Sequence, residues 1–271
     1  MTTGSNRDVK TAPAAHARLR IFQSTRRPVP LEDVFKTKWG TVRIKARLGQ
    51  QHADVLEAIC YSHERKKVQE DGSIKLLVDP GKVRRLSRQS GGIGYNSAGK
   101  STTLQRILDD LQQAIVDIIE PSHLAGQGQV IGHVDRAYHA DGTPITKRNP
   151  LKGDERPMWS VTLGPVLSRL VEADIWLGYN PAPIAELRHG ISQAVARHVL
   201  THKVVPTGGW LLDTLIKDVA GELDTVSLRH RRRELREDVG LLMETLGISV
   251  DGDRVTRIAP VSVQQSRGRE A

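Results

Sequence analysis

Gly94-Tyr95-Asn96-Ser97-Ala98-Gly99-Lys100-Ser101 fits the phosphate-cradling pattern G-x-x-x-x-G-K-[ST] at every defined position. As a P-loop it needs a buried strand running into Gly94, a helix opening at Lys100 and parallel strands around it. As a turn between two helices it needs none of these. The residues before it decide. Lys82-Val-Arg-Arg-Leu-Ser-Arg-Gln-Ser90 reads as an exposed basic helix, and the nearest strand-like run, Ile74 to Val78, lies farther upstream. Asp174 begins an apolar run where a magnesium-holding aspartate should finish one, and no βα series follows. The stretch is therefore read as the turn of a helix-turn-helix. Lys100, Ser101 and Thr102 then stand on the first turn of its last helix, where N–H groups and a lysine can hold a backbone phosphate.

Working outward, Asp79-Pro80 supplies an N-cap and a first-turn proline for a short helix through Val83 and Leu86. That helix carries Lys82, Arg84, Arg85 and Arg88. Past the turn, Leu104, Ile107, Leu108, Leu111, Ile115, Ile118 and Ile119 form one stripe, which predicts a helix from Ser101 to Glu120. Its outward side shows Arg106 followed by Asp109 and Asp110, and the two acids would oppose phosphate. Upstream, Thr41–Arg47 alternates as a strand and Gln50–Lys66 is helical. Cys60, among Val55, Leu56 and Ile59, reads as a buried apolar residue. Downstream, Val130–Tyr138 and Met158–Leu163 read as paired strands joined by a long polar loop with Lys147, Arg148, Lys152 and Arg156. A helix over Gly164–Ala173 and a strand over Asp174–Tyr179 follow.

The second half repeats the order. Helices are predicted over Ile184–Gly190, Ser192–Lys203 and Leu211–Ala220. A long helix capped by Thr225 or Ser227 then runs to Leu246, and Gly247 closes it. Ile248–Ile258 is a hairpin with Asp251-Gly252 at its tip. The expected fold class is α+β, helix-rich, with two tandem winged-helix domains. The expected divisions are a disordered basic N-terminal arm over 1–29, a first winged helix over 30–180, a second over 181–261 as the main DNA reader, and a flexible tail over 262–271.

Ser227-Leu-Arg-His-Arg-Arg-Arg-Glu-Leu-Arg-Glu237 is the sharpest local signal. With Leu228, Leu235, Val239 and Leu242 inward, His230, Arg233 and Glu237 point straight out. Arg229 and Arg236 flank one side, and Arg231 and Glu234 the other; Arg232 lies at the apolar edge and snorkels. In helix-turn-helix docking the N-terminal residues of this helix meet base edges, and arginine forks pair with guanine O6 and N7. Arg254 and Arg257 on the hairpin are candidates for backbone or minor-groove contact. The first domain is expected to hold backbone through Lys82, Arg84, Arg85, Arg88, Lys100, Ser101 and Arg106, or to serve self-association.

The 271 residues carry a formal net charge of +9, which suits a polyanionic partner. The single cysteine allows no internal disulfide, and no apolar run approaches a membrane span; the chain is expected in the bacterial cytoplasm with no membrane partner. His198 and His202 have i, i+4 spacing, but Val199 stands where a zinc peptidase has glutamate. No catalytic set, metal or cofactor is expected. Trp39, Trp159, Trp176 and Trp210 are read as packing residues.

On these residues the chain resembles the iteron-binding plasmid replication initiators of the RepC and TrfA type. Ser227–Glu237 carries the likeness best. Val161-Thr-Leu-Gly-Pro-Val-Leu167 looks like that family's apolar strand before an Asn-Pro helix start, with Gly164 in place of asparagine. Ala194-Val-Ala-Arg-His-Val-Leu200 is similar to the first helix of its second winged domain. The resemblance spans about residues 30 to 260. It implies a protein that binds direct repeats in double-stranded DNA at an origin and helps open an adjacent AT-rich segment. It implies recruitment of a host initiator and the replicative helicase, with monomers activating and dimers repressing. Arg229, His230, Arg231 and Arg233 would be base or phosphate readers. A transcriptional repressor of the same fold and a P-loop ATPase stand as alternatives.

Overall fold

The computed structural model describes residues 12–13, 15–37, 40–89, 103–120, 125–149, 153–172, 176–177, 179–202 and 204–258. In chain order the elements are β1 (Ala12–Pro13), α1 (Ala15–Arg18), β2 (Leu31–Thr37), β3 (Gly40–Ala46), α2 (Gln50–Ser62), β4 (His63–Val68), β5 (Ile74–Val78) and α3 (Pro80–Ser87). Next come α4 (Thr103–Gln113), β6 (Ile115–Ile118), β7 (Gly126–Gln129), β8 (Ile131–Arg136), β9 (Thr146–Arg148), β10 (Glu155–Pro157), β11 (Trp159–Leu163), α5 (Pro165–Glu172) and β12 (Trp176–Leu177). The last are α6 (Ala182–Glu186), α7 (Gly190–Leu200), β13 (Trp210–Leu211), α8 (Leu212–Ala220), α9 (Thr225–Glu237), α10 (Val239–Leu246), β14 (Ile248–Asp251) and β15 (Arg254–Arg257). The fold is mixed α+β, and every pairing between these strands is antiparallel.

Two apolar cores organise the chain. The first gathers residues between Leu19 and Val171, including α2, α4 and α5 and the inner faces of two sheets. The second gathers residues between Tyr179 and Val255, from α6 to β15. In the first unit, α2, β5, α3 and α4 are followed by β8 and β11, and the sheet runs β4-β5-β11-β8. In the second, α7, β13, α8, α9 and α10 are followed by β14 and β15, and the sheet runs β13-β15-β14. Leaving β4 aside, both sheets order their strands first-third-second; the first unit inserts β6 and β7 between α4 and β8, and the second carries an extra helix, α10, before its hairpin. The first unit adds a second four-stranded sheet, β2-β3-β6-β7.

Several boundaries differ from the sequence reading. The arm expected over 1–29 is built into the first unit from His16 onward: Leu19, Ile21 and Phe22 are core residues, and the Gln23 N–H donates to Leu48 O. The helix expected from Ser101 to Glu120 stops at Gln113. Ile115-Val-Asp-Ile118 becomes β6 because a β-branched run alternates equally well on a pleated face, burying Val116 and Ile118. The helix expected to Lys66 stops at Ser62, where the charged run His63–Val68 becomes an outer strand. The long helix expected to Leu246 breaks at Asp238, a fully buried residue whose carboxylate accepts the N–H groups of Arg188 (3.1 Å) and His189 (3.0 Å). Part of the long polar loop is the β9–β10 hairpin, tied down by Arg156 to Asp79 at 2.7 Å and by Lys147 to Glu64.

Gly164, where the resembled family carries asparagine, has a simple local reason. A Cβ there would lie 1.7 Å from the Gln129 carbonyl oxygen, so only glycine fits between β11 and α5. Gly190 plays the same part at the start of α7, where a Cβ would meet the Thr25 backbone at 2.5 Å.

Candidate nucleic-acid interface

The helix α9 is started by Asp224, whose carboxylate accepts the Ser227 N–H at 2.7 Å and the Ser227 hydroxyl at 3.1 Å. Ser227 is therefore the capped residue rather than the cap, and its hydroxyl is already engaged. Leu235 is the buried anchor of the helix, with Leu228 packed against the same core. Arg229, His230, Arg233, Arg236 and Glu237 are exposed; Arg231 and Arg232 are half-buried. The face the periodicity assigned to solvent is the face that meets solvent.

The acids around this helix set which cations remain available. Arg232 forks onto Asp213 of α8 and so links the two helices, where the sequence suggested only a snorkelling stem. Arg231 donates to Glu234 at 2.9 Å, and His230 lies 3.3 Å from the same carboxylate. Arg233 donates to His230 Nδ1 at 2.9 Å and stands 3.9 Å from Glu237. Glu237 is also held by His189 at 2.8 Å. Arg229 and Arg236 have no carboxylate partner among the described residues. They stand seven positions apart on one face, about 10 Å along the axis. With Arg232, Arg233 and Glu237 they line a shallow cleft of about 370 Å³. A phosphate or a guanine edge entering there meets unneutralised guanidinium groups, the strongest bidentate donors in proteins.

The hairpin contributes less. Arg254 lies 3.9 Å from Asp253 and donates weakly to Gly208 O at 3.4 Å; Arg257 is half-buried. Asp251, Gly252 and Asp253 at the tip place two carboxylates where a backbone contact would be made.

The first unit's cations are more dispersed. On α3, Arg85 is exposed and Arg84 half-buried; Lys82 lies 3.6 Å from Glu64, and Arg88 is paired with Glu186 of α6. Asp79 starts α3 by accepting the Gly81 N–H at 2.8 Å. Burial pushes its carboxyl upward, but Arg156 and that N–H outweigh this and hold it below the usual range. On α4, Arg106 is exposed. The two aspartates beyond it are occupied: Asp110 lies 3.1 Å from His52 Nε2, and Asp109 accepts the Gln105 amide at 2.6 Å. Lys100, Ser101 and the glycine-rich stretch before them lie outside the described residues. In chain order α3 precedes them and α4 follows.

The sequence reading missed the polar cluster that joins the units. Arg197 of α7, 1% exposed, donates to Asp54 (2.6 Å), Glu57 (2.9 and 3.0 Å) and Gln50 (2.7 Å), all on α2. His16 lies 2.8 Å from Glu57, which also accepts the Tyr179 hydroxyl. Burial drives the Glu57 carboxyl upward, yet Arg197 and His16 overcome it and hold it at about 2. Burial raises Asp54, because Arg197 only partly offsets its desolvation. The signal was present: Asp54 and Glu57 interrupt the apolar face of Ala53, Leu56 and Ile59, and Arg197 interrupts that of Ala194, Val195 and Val199. Charges inside a buried stripe require partners.

Cys60 is buried and its thiol is pushed up to about 12 by burial and the nearby Glu57 carboxylate, so it is inert as a nucleophile at neutral pH. The rings of His198 and His202 lie 4.9 Å apart, tilted by 54°, and His202 meets Trp210 edge-on at 5.2 Å. Trp159 is buried in the first core; Trp39 and the side chain of Trp176 lie outside the described residues. Among the described residues no helix is long and apolar enough to cross a membrane.

No family model matches the chain, and no curated protein is significantly similar to it. Among solved structures it is similar to the selenomethionine crystal structure of domains 2 and 3 of RctB, at 11% identity and a TM-score of 0.48, over 88% of this chain and 89% of that one.

Proposed function

We propose that the chain is a plasmid replication initiator: a DNA-binding protein, not an enzyme, built from two tandem winged helices that recognise direct repeats in double-stranded DNA at an origin. One observation carries the proposal. Arg229, His230, Arg233 and Arg236 are exposed together on α9, the third helix of a unit that runs helix, strand, three helices and hairpin, the place from which helix-turn-helix units enter the major groove. The same strand order in both units supports the tandem reading, and the net charge of +9 supports a nucleic-acid partner. On this reading the second unit reads bases and the first holds backbone through Arg84, Arg85 and Arg106 or mediates self-association. Origin opening and recruitment of a host initiator and the replicative helicase follow from the resemblance to the iteron-binding family.

The test is DNase footprinting on the DNA flanking the gene, with permanganate probing of adjacent AT-rich sequence. Protection of repeats about two helical turns apart, with permanganate reactivity beside them, is the expected result. Protection without reactivity makes the protein a repressor. No protection, together with ATP hydrolysis abolished by Lys100→Ala, returns the glycine-rich stretch to a P-loop and overturns the reading.

A further inference from the structure

The outer face of the β4-β5-β11-β8 sheet does not belong to the interface described above, and it gathers cations across its strands. Ile74, Leu76 and Val78 of β5, and Trp159, Val161 and Leu163 of β11, face the core. Lys75, Leu77, Ser160 and Thr162 therefore face out. The register extends two rows across all four strands. One is Arg65, Leu77, Ser160 and Asp135; the other is Lys67, Lys75, Thr162 and His133.

Lys67 and Lys75 are thus direct cross-strand partners, an arrangement that repels and weakens a sheet. Other cations of this unit have found acids: Arg156 with Asp79, Lys147 with Glu64, Lys45 with Glu32. Arg65, Lys67, Lys75 and Arg136 have no carboxylate partner among the described residues. The matching face of the second unit's sheet is balanced, with Asp251 opposite Arg254 and Ser249 opposite Thr256. The first unit's face also forms a cleft of about 660 Å³, with Leu77 and Ile145 as apolar lining and Tyr138, 55% exposed, at one end.

We propose that this cleft docks an extended, acidic segment of a partner protein. A duplex lying on this face would present only its phosphate backbone, which leaves Leu77 and Ile145 uncovered and sets phosphate against Asp135. Single-stranded nucleic acid is held by stacking successive bases on several rings, and this cleft offers one ring and an aliphatic lining. Three strand spacings of about 4.8 Å separate β4 from β8, so a segment crossing the face spans about 14 Å, or four extended residues. The matching sequence places an acid over Arg65, Lys67 and Lys75, an apolar side chain over Leu77 and Ile145, and a second acid near Arg136. This docking does not depend on the DNA-binding reading.

The experiment titrates full-length protein with a fluorescent twelve-residue peptide in which glutamates flank leucines, followed by anisotropy, with a lysine-for-glutamate peptide as control. The wild type should bind the acidic peptide and ignore the control. The double variant Lys67→Glu/Lys75→Glu should lose at least tenfold in affinity, and the single variant Lys67→Glu, which pairs opposite charges across the strands, should keep or raise the Tm. That pairing of effects separates a binding face from a damaged sheet. Equal binding by wild type and double variant, no binding by either, or tighter binding of a DNA duplex or a thymidine oligonucleotide lost in the same variant would each overturn the proposal.

Discussion

The two units share a first-third-second strand order in one sheet each and use the helices α4 and α9 differently. In the first, the outward side of α4 carries Arg106 and two aspartates engaged by His52 and Gln105. In the second, α9 turns Arg229, Arg233 and Arg236 outward, and its acids Glu234 and Glu237 are drawn toward His189, His230 and Arg231. The sheets reverse the contrast, since the first unit's outer face concentrates cations that have no carboxylate partner among the described residues and the second unit's face sets Asp251 opposite Arg254. Positive charge is thus presented from a helix in the second unit and from a sheet in the first. Charge placement, more than element order, distinguishes what each copy can grip.

The comparison assumes that the units are held to each other, and the largest expected effect tests that. Removing one partner of a buried ion pair leaves the others desolvated and unpaired, which costs about 3–5 kcal/mol. Arg197→Ala should lose that much in denaturant unfolding, with both units reporting the change. A loss under about 1 kcal/mol would show that the cores, and not the cluster, hold the units together. The same cluster predicts an acid response. Glu57 is held at about 2 in the folded chain against an ordinary 4.5, so its contribution is complete above about 4.5 and is lost as the pH falls toward 2. Asp54, shifted the other way, opposes this in part. Glu57→Gln should flatten the stability profile across that window, and an unchanged slope would assign the acid sensitivity to other carboxylates.

Smaller effects sharpen the contrast between the helices. Asp224→Ala removes the N-cap of α9 and should cost about 1 kcal/mol of stability, seen as a lower Tm. Asp109, turned to Gln105 rather than to the start of α4, should give no such effect when replaced by alanine. Arg85→Ala should weaken binding uniformly on cognate and scrambled duplexes and lower the salt slope by about one; a sequence-selective loss would make the first unit a base reader too.

Much of the arrangement of helices and hairpins was legible because amphipathic stripes and turn residues are local signals: the α3 cap at Asp79, the β14–β15 hairpin, whose turn residues are Gly252 and Asp253 rather than Asp251 and Gly252, and the exposed face of α9 follow from spacing. What escaped depends on distant partners. Ile115–Ile118 satisfies a helix stripe and a strand alike, and only pairing with β3 and β7 selects the strand. Asp238 looks like one more polar helix residue until the Arg188 and His189 N–H groups arrive from another element. The availability of each arginine on α9 was likewise hidden, because Asp213 and His189, which redistribute the acids, are remote in sequence.

The most direct test of the central claim is the binding of Arg233→Ala to a duplex carrying the protected repeat and to a scrambled duplex of equal length, at fixed salt. The account predicts a loss of about 1–3 kcal/mol on the repeat and little change on the scrambled duplex. Equal losses on both would contradict base reading by α9 and reduce it to a backbone contact.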